Sequence, residues 1–287
     1  MRMPDSIAAL QNKREVDDRL DQIIDFYTNH PISHANILST LHSSRSHLQG
    51  LRPEELFPHD QDHYNGLEAN AELAKRAHLV EGTRVADFGA GLGGPARYFA
   101  HRYGADVTGI EVTPNRVLGA NDLTQRVGLH NRVRVLHGNV ICVPLADRTM
   151  DVVLSQEALL HVRDKKRVFQ EAHRILRKGG RLAFTDWVTY GSLSPRDTNL
   201  VWAVTPVRSF QDVGSYQDIV RTAGFKVISI DDTSHEWVAV LTERLARHLH
   251  QKQPQGQANS AFEITLTRLI TLVQEQILGG ARITAEK

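Results

Sequence analysis

The sequence holds a single cysteine, Cys142, among 287 residues. One cysteine excludes an internal disulfide, a cysteine-based zinc site and a CxxC redox pair. Long apolar runs are missing too. No stretch approaches the roughly 18 apolar residues of a membrane span, and the opening MRMPDSIAALQNKREVDDRLDQ lacks the run of a signal peptide. Nor is there an excess of one charge: 34 Lys and Arg face 33 Asp and Glu, a net +1. A general nucleic-acid or membrane-surface binder would carry a basic excess. These absences lead us to expect a soluble cytoplasmic chain with neither nucleic acid nor membrane as partner. What is present supports a packed core, since 41% of residues are hydrophobic and 23% charged. The length fits one large domain, or a core with a smaller appendage.

Val16–Tyr27 carries apolar residues at 16, 20, 23, 24 and 27, a helical spacing. A His-, Ser-, Pro- and Asn-rich stretch follows to Gly66 and reads as short helices and loops, either linker or lid. From about Leu67 strands and helices alternate. The strands are TRVADFG, ADVTGIEV, RVRVLHGN, DVVLSQE, RLAFTDWV and KVISIDD, and the helices are Leu67–His78, Pro95–Tyr103, Asn115–Gly128, Lys165–Lys178 and Ser215–Ala223. Such alternation predicts a parallel sheet covered on both faces. Two further helices, Glu236–His250 and Phe262–Leu278, flank the polar spacer KQPQGQANS, and the final residues look like a strand. The basic TERLARHLHQK reads as a solvated helix face, with a binding surface as the alternative.

The strongest local signal is VADFGAGLGGP, Val85 to Pro95. A strand enters a glycine-dense turn and a helix starts at once, with Pro95 suited to its first turn. Glycines there let the backbone approach a ligand whose polar groups meet the helix N-terminus. Glu111 ends the second strand, where a carboxylate accepts hydrogen bonds from ribose hydroxyls. Gly89, Gly91 and Gly94 also satisfy G-x-G-x-x-G, which admits a nicotinamide or flavin dinucleotide. Asp87 tips the balance: a carboxylate beside a pyrophosphate is repelled, whereas the ammonium and sulfonium of S-adenosylmethionine suit it. A tight turn holding nothing, with Asp87 as a cap, is the alternative.

DFGAGLGG, followed in order by GIEV, HGN, DVVLSQEALLH and LRKGGRLAFTD, resembles the class I S-adenosylmethionine-dependent methyltransferases over about residues 60–235. The resemblance implies a Rossmann-like α/β fold, seven strands with helices on both faces and the last strand antiparallel. It divides the chain into an N-terminal helical lid (1–66), the cofactor-binding core (67–235), a helical insertion (236–280) and the final strand (281–287). The implied cofactor is S-adenosyl-L-methionine, released as S-adenosyl-L-homocysteine, with no metal. Asp87, Gly89 and Gly91 would meet its methionyl part, Glu111 the ribose, and Val112 the adenine face. Asn139 and Val140 would read the adenine edge, and Gln156 would complete the set. Asn139 departs from the usual Asp, and its other reading is a polar turn residue.

SQEALLH, Ser155 to His161, is most similar to the small-amine branch, the sarcosine/dimethylglycine and phosphoethanolamine methyltransferases. By that likeness Glu157 and His161 are the catalytic pair, with Tyr27 or Tyr64 as the lid tyrosine. An ammonium acceptor must lose a proton before it attacks, which a carboxylate with an imidazole can remove near neutrality. Trp187 offers an aromatic face to a cation, or is core. Glu157 has a second reading as a helix cap. His59, Asp62 and His63 match no metal spacing.

The acceptor expected on this basis is a small polar amine. The main rival is a carbon or oxygen of a larger apolar metabolite, walled by the helices of 236–280. A silent cofactor-binding protein and a dinucleotide oxidoreductase are further alternatives. Small-molecule chemistry is expected throughout, and a homodimer stays open.

Overall fold

The computed structural model describes residues 20–45, 47–251 and 260–287. Residues 16–19 of the first expected helix, and all but Ser260 of the spacer KQPQGQANS, lie outside the described residues.

Seven strands form one sheet: β1 (Arg84–Phe88), β2 (Asp106–Glu111), β3 (Val133–His137), β4 (Met150–Gln156), β5 (Leu176–Thr189), β6 (Lys226–Asp232) and β7 (Leu278–Glu286). Their order is β3-β2-β1-β4-β5-β7-β6. β1 to β5 pair in parallel, and β7 runs antiparallel to both β5 and β6. The central strands are buried on both faces, which is why β1 and β4 read as nearly continuous apolar runs. One face packs a cluster that includes Phe88, Ile110, Phe169 and Phe184. The other packs Leu73, Val85, Phe99 and Leu154.

The helices are α1 (residues 20–28), α2 (His34–Ser44), α3 (Pro53–Leu56), α4 (Gly66–Ala77), α5 (Gly94–Tyr103), α6 (Pro114–Arg126), α7 (Lys165–Ile175), α8 (Pro195–Val204), α9 (Val213–Thr222), α10 (Ser234–Gln251) and α11 (Ala261–Gln274). In α7 the expected face, Val168, Phe169, Ala172 and Ile175, is almost wholly buried. Helices α10 and α11 stand between β6 and β7.

Three local expectations need correction. Helix α7 ends at Ile175 rather than Lys178. The Gly179–Gly180 pair lies inside β5, where a side chain at 180 would press on the carbonyl oxygens of Arg177 and Asp151 at 2.9 and 3.0 Å. β7 starts at Leu278, three residues before Ala281, because α11 stops at Gln274 and Gln276 turns the chain through a left-handed φ of 54°. That extension pairs Leu278 with Thr189 and makes β7 match β5 over nine residues. Helix α8 had no counterpart in the sequence reading, although its start carries a cap signal. Ser194 accepts from the Asp197 N–H at 3.1 Å, and Pro195 follows in the first turn.

The strand order reverses between β1 and β4, so a crevice opens beyond their carboxyl ends. Residues 20–40 and 58–64, α10 and α11 lie around that crevice and form with it a cavity of about 1650 Å³.

Candidate active site

The floor of the cavity is the β1–α5 turn. Gly89, Gly91 and Gly93 take left-handed φ values of 76°, 54° and 74°. At Gly89 the need is also spatial, since a Cβ there would lie 2.3 Å from that of Ala158. The Gly91 N–H donates to Glu111 Oε2 at 2.9 Å, and the Thr113 N–H donates to Oε1 at 2.8 Å. Glu111 thus fixes the two turns that follow β1 and β2. Asp87 is buried beneath the turn, and its Oδ2 has no hydrogen-bond partner among the described residues. Burial, and then the charge of Glu111, raises the Asp87 carboxyl to about 7. Two buried acids and an orphaned oxygen make this floor a place for a cation.

Val112, Asn139 and Val140 line the same end of the cavity. Asn139 Oδ1 accepts from the Ile141 N–H at 3.2 Å, so the side chain shapes the turn after β3 while still facing the cavity.

At the end of β4 the chain turns through Glu157, whose φ of 44° is left-handed. Its carboxylate does not cap a helix. Oε2 accepts from the Tyr64 N–H at 2.8 Å, and Oε1 accepts a very short hydrogen bond from the Thr185 hydroxyl. Both bonds favour the ionised form, but burial outweighs them and raises the carboxyl to about 7. His161 follows on a single 3-10 turn, Leu159–His161. Its Nδ1 lies 2.9 Å from the carbonyl oxygen of Pro206, which can only accept, so Nδ1 carries the proton. Nε2 is therefore the lone-pair nitrogen, and the Tyr27 hydroxyl donates to it at 2.7 Å. Burial lowers the imidazole to about 4, so it is neutral at pH 7.

Tyr27, named from the sequence, is thus brought onto His161. Burial pushes its hydroxyl far above 10, and the Arg116 guanidinium sits 4.7 Å from its ring centre. Tyr64 lies elsewhere in the site. It stacks on Trp237 at 4.7 Å and 22°, meets Trp187 edge-on at 5.5 Å, and carries the Arg244 guanidinium 4.7 Å from its ring centre. With an indole on one face and a guanidinium on the other, its ring has no open face. Trp187 is only 4% exposed and packs against Trp237, so it is core that also borders the cavity.

Asp60, Arg97 and Arg116 join the residues read from the sequence. Gln156 is wired into the 58–64 segment: its Nε2 lies 3.1 Å from His63 Nδ1, and His63 Nε2 lies 2.9 Å from Gln61 Oε1. Burial lowers His63 to about 4. Asp60 forms a wholly buried ion pair with Arg97 at 2.8 Å, and Asp62 pairs with Arg116 at 3.1 Å. Charged residues on α5 and α6 carry no sequence mark that separates them from solvated ones. The stretch before Gly66, expected as linker or lid, lines the cavity through Pro58–Tyr64. The basic run TERLARHLHQK requires correction: Arg244 and His248 face the cavity, because they continue the face of α10 that buries Trp237 and Leu241. Among the described residues no three His, Cys, Asp or Glu side chains are grouped to hold a metal, and no helix is long and apolar enough to cross a membrane.

Residues 86–184 match the family described as methyltransferase domain. The chain is 31% identical over 224 residues to 27-O-demethylrifamycin SV methyltransferase of Amycolatopsis mediterranei (strain S699), covering 75% of this chain and 81% of that one. It is 30% identical over 177 residues to sarcosine/dimethylglycine N-methyltransferase of Aphanothece halophytica, covering 61% of this chain and 64%, less than two thirds, of the relative. Geranyl diphosphate C-methyltransferase from Streptomyces coelicolor A3(2) shares the fold, with a TM-score of 0.71 at 14% identity over 93% of this chain and 97% of that one. The glycine turn, the strand order with its antiparallel β7, and a relative matched over four fifths of its length lead to one conclusion: the chain belongs to the class I S-adenosylmethionine-dependent methyltransferases.

Proposed function

We propose that the chain holds S-adenosylmethionine over the β1–α5 turn and methylates a heteroatom of a bulky, largely apolar metabolite. The unpartnered Asp87 oxygen and the Gly89 turn, which has no room for a Cβ, are the fit of this site to the cofactor. Asp87 would meet its cationic methionyl end, Glu111 the ribose, and Val112, Asn139 and Val140 the adenine. When bound, the sulfonium supplies an electrophilic methyl.

The observation that carries the acceptor class is the extent of the cavity. Drug-sized ligands fill roughly 300–1000 Å³. About 1650 Å³ is more than a cofactor and an amino acid need together. Its α10–α11 wall sets Phe262, Leu266 and Leu269 beside Arg244, Arg247 and His248, and Leu160 and Trp187 line the same cavity. An ammonium would also find no free face on Tyr64 and a resident cation, Arg244, beside it.

Glu157 is the base. A carboxyl titrating near 7 can accept the acceptor's proton at working pH, and Thr185 and the Tyr64 N–H hold it in place. Neutral His161, oriented by the Pro206 carbonyl, presents Nε2 to the acceptor's O–H or N–H once Tyr27 yields it. Transfer then depends on alignment and dryness, which α1, α2 and residues 47–66, with the wall of α10 and α11, provide around the sheet.

A small polar amine is the second reading. It is favoured by the Tyr27–His161 pair, which the phosphoethanolamine likeness implies, and by the acid at Glu157. The test is Leu269→Trp, which fills the far chamber. Affinity for S-adenosylhomocysteine should stay unchanged while methyl transfer to phenolic or prenylated acceptors falls at least tenfold. Unchanged transfer to those acceptors would exclude the large-metabolite reading.

A further inference from the structure

Arg244 stands apart from the other basic side chains of α10 that border the cavity. Arg247 pairs with Glu243 at 2.6 Å, and His248 lies 3.4 Å from Glu263. Arg244 has no carboxylate within 4 Å among the described residues. Its one hydrogen bond among those residues is a long one, 3.3 Å from Nη2 to the backbone oxygen of Asp62. Arg244 is nevertheless half-buried and faces the cavity, and its guanidinium carbon sits over the Tyr64 ring, on which Trp237 also stacks. A guanidinium has five N–H donors in a rigid fork. The donors that the Asp62 oxygen does not take up are open to the cavity, where a planar anion can reach them.

The nearby acids are not that partner. Asp62 is already engaged by Arg116 at 3.1 Å and by His30 at 3.7 Å. Glu157 is committed to Thr185 and the Tyr64 N–H. Burial keeps Glu157 partly protonated near neutrality, so it opposes an incoming anion less than an ordinary carboxylate would.

Resting on the reading of the α10–α11 chamber as the acceptor site, we infer that Arg244 docks an anionic group of the acceptor, a carboxylate or a phosphate. A planar guanidinium fixed on an aromatic ring presents two parallel N–H bonds to such a group. Tyr64 carries Arg244 on its ring and binds Glu157 through its N–H, so the docked anion lies a short span from the proton-accepting carboxylate. The acceptor class is thus an apolar body with an anionic group close to the methylated atom. Arg244 is a positioning and specificity-determining residue.

The test uses the full chain saturated with S-adenosylhomocysteine, titrated calorimetrically with octanoate, methyl octanoate, octan-1-ol and octyl phosphate. Octanoate or octyl phosphate should bind at least tenfold more tightly than the alcohol and the ester, and the tighter of the two identifies the anion. Arg244→Gln should erase that preference with S-adenosylhomocysteine affinity unchanged, and Arg244→Lys should restore part of it. Should the Gln variant fail to fold, the wild-type comparison of octanoate with its methyl ester and the Lys variant still decide. Equal binding of alcohol and acid overturns the inference and leaves the apolar chamber standing. A preference that survives in Arg244→Gln overturns it as well. Failure of all four probes to bind beside S-adenosylhomocysteine overturns both the inference and the large-acceptor reading.

Discussion

Replacing Glu157 by glutamine separates the charge of this side chain from its shape. The amide mimics the protonated acid: its oxygen accepts from the Tyr64 N–H, and its NH₂ donates to the Thr185 hydroxyl oxygen. The native carboxyl titrates at about 7 against an ordinary 4.5. At about 1.4 kcal/mol per pH unit, that difference is worth about 3 kcal/mol, an upper figure because the side chain is only half-buried. The sign follows from linkage. Below pH 4.5 the acid is protonated in both native and unfolded chains, and its contribution is intact. As pH rises towards 7 the unfolded chain loses the proton first, and the native state loses that contribution. Glutamine does not titrate. The stability of Glu157→Gln minus that of the wild type should therefore grow by about 2–3 kcal/mol between pH 4 and pH 8, with shifts of other groups cancelling in the difference. Urea unfolding of both proteins without ligand, at several pH values, measures it. A difference flat with pH, or one that shrinks, refutes the account of a burial-raised carboxyl. Methyl transfer by the variant should fall about 10²–10⁴-fold at neutral pH.

Three further outcomes are expected. His161→Ala should keep its affinity for S-adenosylhomocysteine and lose about 10²–10⁴-fold in turnover; normal turnover would remove the histidine from the mechanism. Gly89→Ala strains a φ of 76° and drives a Cβ to 2.3 Å from that of Ala158, so it should destabilise by about 2 kcal/mol or more and abolish thermal protection by S-adenosylhomocysteine. Asp60→Ala strands the wholly buried Arg97 and should cost about 3–5 kcal/mol in urea unfolding, whereas a loss under 1 kcal/mol would mean the pair is solvated.

The core of the fold was legible because its signals are local. Continuous apolar strands, capped amphipathic helices and the glycine turn each act over a few residues, and alternation fixed how they assemble. Boundaries failed where a local signal had two readings. Gly179–Gly180 stops a helix as readily as it kinks a strand, and only the pairing of Leu176 with Met150 chooses between them. In the site, Glu157, His161 and Tyr27 are legible through the likeness of SQEALLH, and the structure brings them to one cavity. Trp187 turned out mainly to be packing, and Tyr64 is covered on both faces. Arg97, Arg116 and Arg244 were not foreseen, because a basic residue on a helix reads as solvated until the facing element is known. Thr185 escaped for a related reason: its register beside Gln156 and Glu157 is a property of the β4–β5 pair rather than of either strand.

The most direct measurement is transfer of isotope-labelled methyl from S-adenosylmethionine to two separate acceptor pools. One holds glycine, sarcosine, dimethylglycine and ethanolamine derivatives; the other holds prenylated and phenolic metabolites, with and without a carboxylate or phosphate. Label in the second pool, concentrated in its anionic members and lost in Glu157→Gln, is the predicted result. Label confined to the amine pool would contradict the acceptor assignment, and label in neither pool despite S-adenosylhomocysteine binding would contradict the enzymatic reading itself.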